Sequence, residues 1–268
     1  MIMADRITTD ALRRGLSTLR LAGEIYLFDE VESTNTRLRT LARRGAREGT
    51  VVIAEGQTAG RGRRDEPWFS PNGVNLYASV LFRSNVAPSD VGVFAFVAAL
   101  ALTDAIKDLG LMPTVKWPND VLVEGKKVAG ALVECVTRED EVDYVILGVG
   151  VNLNVSETEL HDALGPAGRF ASSLSALTGG EIDRSAFAAS YLNHLEAWVR
   201  RWEREGAAAI LAGWRDRDIL TGRRVEVRGE RTAFTGRVDG VGRGGCLLVR
   251  DTLNRLHEVL TEEVRLAD

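Results

Sequence analysis

Short apolar runs and alternating positions predict strands over residues 51–55, 74–82, 115–117, 121–123, 128–136 and 142–153. Between the second and third lies a more uniformly apolar stretch, 91–102, inside a helical pattern that extends to about 109. That stretch is too short to span a bilayer and closes on Thr103-Asp104, so it reads as a buried core helix. Upstream, leucines at 12, 16 and 19 share one face of a short helix within 1–22. Ser33-Thr34-Asn35 opens a second helix, carried by Leu38, Leu41 and Ala42 and ended at Gly45. A hydroxyl at such a start caps free N–H groups, and glycine suits the closing left-handed turn. A helical block over 184–213 carries Phe187, Tyr191, Leu195, Trp198 and Trp202 at spacings that read as core rather than ligand platform.

Past Thr221-Gly222 the period changes. Segments 224–227, 235–238, 246–249 and 257–260 are short and β-like, split by glycines, which is the signature of a small barrel. The pattern therefore predicts an α+β catalytic domain over 1–219 and a small C-terminal β-barrel domain over 220–268, without repeats or low-complexity tracts.

Composition narrows the function classes. With 268 residues, 45% of them hydrophobic and 27% charged, the chain needs no disulfide or metal staple to bury a core. Cys135 and Cys246 read as reduced, buried thiols, and three scattered histidines (His161, His194, His257) disfavour a structural zinc site. A net charge of −4 argues against a general nucleic-acid coat. Asp5 and Arg6 near the start leave no signal-peptide apolar region, so a cytoplasmic enzyme that engages neither DNA nor membrane is the expectation.

Three segments carry candidate chemistry. The first is Gln57-Thr58-Ala59-Gly60-Arg61-Gly62-Arg63-Arg64-Asp65-Glu66-Pro67-Trp68. Its glycines permit close backbone approach, its three arginines supply forked cationic donors, and Trp68 offers a face for a flat ring. The pattern suits a clamp on an anionic ligand. A solvated basic turn or an RNA-contacting loop would carry the same letters. Ordering it would cost on the order of 10–20 kcal/mol as an upper bound, so a mobile loop that settles on ligand is expected.

The second segment is Lys116-Trp117-Pro118-Asn119-Asp120, where proline places polar groups at a strand end. Lys and Asn there can meet phosphate oxygens, and Asp can orient a metal or a basic neighbour, although a polar turn reads the same way. The third pairs Lys127-Val128-Ala129-Gly130 with Gly148-Val149-Gly150-Val151-Asn152. A lysine with a glycine three residues on can project into a cleft, or simply end a surface turn. No Walker A segment occurs, so an ATP site must be of another type.

In order and spacing, Ser33-Thr34-Asn35, Gln57…Gly60-Arg61-Gly62-Arg63-Arg64, Trp68-Phe69-Ser70-Pro71, Lys116-Trp117-Pro118-Asn119-Asp120, Lys127-Val128-Ala129-Gly130 and Gly148…Asn152 resemble the biotin–protein ligases. The likeness runs from about residue 26 to 154 and continues more loosely through the barrel, which is similar to that family's SH3-like domain. It implies a central mixed sheet flanked by helices, related to class II synthetases and lipoate ligases. It also implies biotin activation by ATP with Mg2+, then transfer to a lysine of a biotin carboxyl carrier protein. That carrier would be an acetyl-CoA carboxylase subunit or part of another biotin-dependent carboxylase.

By the same resemblance Ser33, Thr34, Asn35, Gln57, Gly60, Arg61, Gly62, Arg63, Lys127 and Gly130 would bind biotin. Arg63, Arg64, Trp68 (as a lid over adenine), Lys116, Asn119 and Asn152 would meet ATP, while Lys127, Arg61 and Arg63 would serve the chemistry. No protein metal ligand is implied beyond Mg2+ on the phosphates. Two departures matter. Asp65-Glu66-Pro67 stands where family members often have Gly and Arg, which bears on loop closure, phosphate contacts and a possible homodimer. Ser33-Thr34 lies too near the start to leave room for the winged helix of the repressor members, so no operator binding is expected. Rival readings are a lipoate or octanoate transferase, a non-catalytic RNA-binding module and a degenerate homologue that stores biotin.

Overall fold

A computed structural model describes residues 6–83, 86–139, 141–229, 233–260 and 262–267. Seven strands form one sheet in the order β1-β2-β3-β7-β6-β5-β4. They are β1 (Ile25–Val31), β2 (Val51–Gln57), β3 (Leu76–Phe82), β4 (Pro113–Lys116), β5 (Asp120–Val123), β6 (Lys126–Arg138) and β7 (Glu141–Val151). The β1–β2 pair is parallel and the others are antiparallel, so the sheet is mixed, as expected.

Seven α-helices accompany the sheet among the described residues: α1 (Thr9–Gly15), α2 (Thr34–Arg43), α3 (Val93–Lys107), α4 (Glu157–Leu164), α5 (Leu174–Thr178), α6 (Arg184–Glu205) and α7 (Ala207–Arg215). The helix expected within 1–22 is the short α1; its first positions, 1–5, lie outside the described residues. The block over 184–213 is two helices, because Gly206 at φ 73° takes a conformation that helix geometry excludes.

Strand alternation sends odd and even positions to opposite faces. Val51, Ile53, Ala78, Val80, Ala129 and Leu147 join one continuous core with α3, α6 and α7. The apolar helical stretch Pro88–Lys107 is long and apolar enough to cross a membrane, but it is core: twelve residues of α3 are buried. The opposite face meets α2, where Leu38 and Ala42 pack on Val52, Leu81, Tyr144 and Ile146.

The C-terminal strands β8 (Arg224–Arg228), β9 (Ala233–Val241), β10 (Leu247–Asp251), β11 (Leu256–Val259) and β12 (Glu263–Leu266) form an antiparallel sheet ordered β11-β10-β9-β8-β12, consistent with the SH3-like expectation. Its inward Val225, Val227, Val238 and Leu247 belong to the same core as the large sheet. One expectation needs correcting here: Cys246 is buried, but Cys135 is exposed, because β6 runs past the packed part of the sheet before it turns into β7.

Candidate active site

The half of the α2 face beyond the apolar patch is hollowed by glycine. Gly148 and Gly150 of β7 lie beside Leu132 and Gly130 of β6 and Ser79 and Tyr77 of β3. A Cβ on Gly148 would come within 2.2 Å of Asn35 Oδ1, and one on Gly150 within 2.4 Å of Trp68 Nε1. These two positions are glycine because side chains from α2 and the following loop lie directly on the backbone. The result is a cavity of about 370 Å3, of a size suited to a small ligand.

The floor and one wall are polar but uncharged. Ser33, Thr34 and Asn35 line the wall from the N-terminus of α2, with Gln57 at the end of β2. Ser33 does not cap its helix through its side chain as expected; instead Gln57 Oε1 accepts the Thr34 N–H at 3.0 Å. Gln57 Nε2 donates to Ser70 Oγ at 2.9 Å, which orients the amide.

The arginine–glycine loop crosses above. It is folded as a hairpin: Arg61 bridges Pro67, the Gly62 N–H donates to the Glu66 carbonyl at 2.7 Å, and the Trp68 N–H donates to Gly60 at 2.9 Å. These internal bonds offset part of the ordering cost that the sequence reading left entirely to ligand. Arg61 reaches Glu134 and Thr36, each at 3.4 Å. Arg63 is half-buried, with its guanidinium 5.6 Å from the Trp117 ring and a 3.4 Å hydrogen bond to the Leu260 carbonyl. Burial and the adjacent Arg64 push its pKa below the ordinary arginine value, partly countered by Asp120 and Glu66.

The far wall is cationic. Lys116 and Asn119 flank the cis Trp117–Pro118 bend, and Asn119 Nδ2 donates to the Ala131 carbonyl at 2.5 Å. Lys127 is the second residue of β6, with Nζ 2.6 Å from Asp120 and 5.4 Å from the Trp68 ring. Trp68 packs against Gly150 and Gly130, and its buried Nε1 has no hydrogen-bond partner among the described residues. An orphaned indole N–H at a ligand cavity is a donor awaiting an acceptor.

Ser33, Thr34, Asn35, Gln57, Arg61, Gly62, Arg63, Arg64, Trp68, Lys116, Asn119, Lys127 and Gly130 thus line one cavity. Two candidates do not. Gly60 lies behind the hairpin, where a Cβ would meet Ser70 Oγ at 2.4 Å. Asn152 is buried, its amide tied to the Ser172 carbonyl at 3.1 Å, so it braces the end of β7. The sequence reading missed Ser79, and also Glu262 with Glu263, Val264 and Arg265 at the start of β12, which line the cavity as Ser79 does not. Ser79 had a signal, a polar residue within the apolar strand Leu76–Phe82; the β12 residues had none.

Residues 27–152 match the model of the Biotin/lipoate A/B protein ligase family. Bifunctional ligase/repressor BirA of Bacillus subtilis is 30% identical over 97% of this chain and 79% of its own length. The biotin–[acetyl-CoA-carboxylase] ligase of Mycobacterium tuberculosis is 36% identical over 76% of this chain and 74% of its own. The chain belongs to the biotin–protein ligase family. The biotin protein ligase from Aquifex aeolicus, solved in complex with biotin and ATP, superposes with a TM-score of 0.76 over 91% of this chain and all of that one, at 25% identity. In this ligase the matched region, 27–152, spans β1 to the end of β7 and so contains nearly the whole cavity.

Proposed function

We propose that biotin binds at the neutral end of the cavity and ATP at the cationic end, and that the two react beside Lys127. The observation that carries this reading is the division within one cavity. Ser33, Thr34, Asn35 and Gln57 offer only uncharged donors and acceptors, suited to a ureido ring, while Lys116, Lys127, Arg63 and Arg64 gather charge for phosphates. A dithiolane or plain alkyl chain would leave those buried polar groups unpaired, which disfavours lipoate or octanoate.

The chemistry follows from charge. A biotin carboxylate oxygen attacks the α-phosphorus of ATP, the bond to the β-phosphate oxygen breaks, and pyrophosphate leaves. Two anions approach one another in that step, and Lys127 with the loop arginines offsets their repulsion. Among the described residues no group of three or more His, Cys, Asp or Glu side chains is disposed to hold a metal. A magnesium ion carried by the triphosphate itself fits this donor set and would neutralise part of its charge. The Arg61–Trp68 hairpin shields the resulting mixed anhydride from water. A lysine amine of a biotin carboxyl carrier protein then attacks the biotinyl carbonyl, and AMP leaves.

The test is pyrophosphate release by the purified protein with ATP and magnesium, with and without biotin, beside Lys127→Ala. Biotin-dependent release that collapses in the variant is expected. Release with lipoate or octanoate instead would move the chain to the sister enzymes.

A further inference from the structure

Beneath the neutral wall runs a hydrogen-bond chain whose direction is dictated by one residue outside the cavity lining. Glu134, on β6, has a side chain only 20% exposed. Its Oε2 accepts from Asn35 Nδ2 at 2.8 Å. An ionised carboxylate can only accept, so the amide nitrogen of Asn35 must face it. Asn35 Oδ1 then faces Ser79 Oγ at 2.6 Å, and the Ser79 hydroxyl must donate there. Ser79 has one hydrogen, now committed to the shorter contact, so at the 2.7 Å approach of Ser79 Oγ to Thr34 Oγ1 the threonine's hydrogen is the one available, and it serves there in preference to its longer 3.3 Å approach to Gln57 Oε1. The Thr34 hydroxyl is thereby left with only lone pairs to turn toward the cavity.

The other carboxylate oxygen, Oε1, holds Arg39 Nη2 at 2.7 Å and Arg61 Nη2 at 3.4 Å. Arg39 lies one turn beyond Asn35 on α2, and Arg61 belongs to the hairpin over the site. One carboxylate therefore touches the wall, the helix that carries the wall, and the loop that covers it. Its row on the sheet is otherwise apolar, with Leu81 and Ile146 as its neighbours in register. Packing alone does not ask for an acid there.

We propose that Glu134 is a positioning residue for biotin: it sets the donor and acceptor polarity of Asn35, Ser79 and Thr34 and anchors Arg61 over the bound ring. The inference rests on the biotin reading of this cavity. A ureido ring presents N–H donors and a carbonyl acceptor at fixed places, so reversing one hydroxyl or amide sets donor against donor.

The experiment measures biotin binding by calorimetry, biotin and ATP KM by pyrophosphate release, and the thermal midpoint, in the wild type, Glu134→Ala, Glu134→Gln, Ser79→Ala and the Glu134→Ala/Ser79→Ala double variant. Glu134→Ala should raise the biotin KM about tenfold or more, the scale of a lost charge-assisted hydrogen bond, while the ATP KM stays within about twofold. Glu134→Gln keeps a carbonyl for Asn35 and the side-chain volume but not the charge that holds Arg39 and Arg61, and should recover the biotin affinity in part. Ser79→Ala should weaken biotin similarly, and the double variant should be no worse than the poorer single one, because both cut the same chain. A lowered midpoint with unchanged biotin KM, or fully additive losses, would overturn the proposal. A wild type that binds no biotin would overturn the biotin reading with it, whereas wild-type binding with unaltered variants would overturn the positioning role alone.

Discussion

The two faces of the seven-stranded sheet are made by the same strands in the same register, yet one is filled and the other hollowed. Toward α3, α6 and α7 each inward position holds a side chain, with Ile53, Val80, Leu147 and Ala131 packed against Phe94, Phe96 and Leu100. Toward α2 the filling stops after Val52, Leu81 and Ile146, and Gly148, Gly150 and Gly130 take over. Because alternate residues of a strand serve opposite faces, β7 supplies Leu147 and Val149 to the core in alternation with Gly148 and Gly150, which open the cavity. The filled face makes the hollow one possible: it supplies enough buried area to hold rigid a surface that contributes little packing of its own.

That division predicts which substitutions cost stability and which cost activity. The largest effect falls on the filled side. Phe96 is 1% exposed and stacks on Trp214 with ring centroids 4.0 Å apart. Phe96→Ala should destabilise by about 3–5 kcal/mol in urea denaturation. Biotin affinity of the folded fraction should hold within about twofold; a parallel loss would show the faces to be coupled. Lys127→Ala should do the reverse. Its ammonium pairs with Asp120 at a partly exposed site, so the unfolding midpoint should barely move, while kcat/KM falls by roughly a hundred- to a thousandfold, or about 3–4 kcal/mol. A large stability loss in that variant would mean the lysine is a structural pin.

This contrast also explains what could be read from the chain. The filled face writes its own pattern, and the expected strands over 51–55, 74–82 and 128–136 recur as the longer β2, β6 and the slightly shorter β3. Edge strand β1 escaped because Asp29 and Glu30 break its alternation at a solvent-facing edge. The short α4 and α5 carry one buried residue each, too few to show a period. The cavity's local segments were legible because their glycines, arginines and lysines are clustered in sequence. Glu134 and the start of β12 reach the site through register and tertiary folding alone, which no local spacing records, and the lone polar Ser79 in an apolar strand signals a special position without saying what it faces. Asn152 is the converse case: a polar residue inside a motif that lies outside the cavity lining, with its amide on the Ser172 carbonyl.

A matched glycine pair sharpens the comparison at lower amplitude. An alanine Cβ at Gly213 of α7 would meet Trp198 Cη2 at 2.7 Å and Leu100 Cδ1 at 3.3 Å, both on the filled side. Gly213→Ala should therefore destabilise by about 1–3 kcal/mol with kcat unaltered. At Gly150 the added methyl meets the indole of Trp68 at 2.4 Å, and the indole can leave by rotating into the cavity. Gly150→Ala should spare the midpoint and weaken biotin or ATP binding about tenfold, a loss of about 1.4 kcal/mol. Equal stability losses in the two variants would mean that the cavity face is packed as tightly as the core.

The smallest effect tests the hairpin over the hollow face. Arg64 and Asp65 sit consecutively in the left-handed region, at φ 55° and 58°. Asp65 is where the family resemblance leads one to expect glycine, the residue that takes that conformation without strain. The aspartate's charge contributes little: its side chain is 90% exposed and lies 3.8 Å from Arg61. What counts at this position is tolerance of positive φ, which aspartate and asparagine share and a β-branched residue lacks. Asp65→Asn should therefore change the biotin KM by less than about twofold at any salt concentration. Asp65→Val, which preserves size better than charge, should oppose the turn that lets Gly62 donate to Glu66. It should raise the biotin KM by about fivefold, matching about 1 kcal/mol of left-handed strain, with the unfolding midpoint unmoved. If Asn proved as damaging as Val, the acidic charge rather than the turn would be what holds the loop.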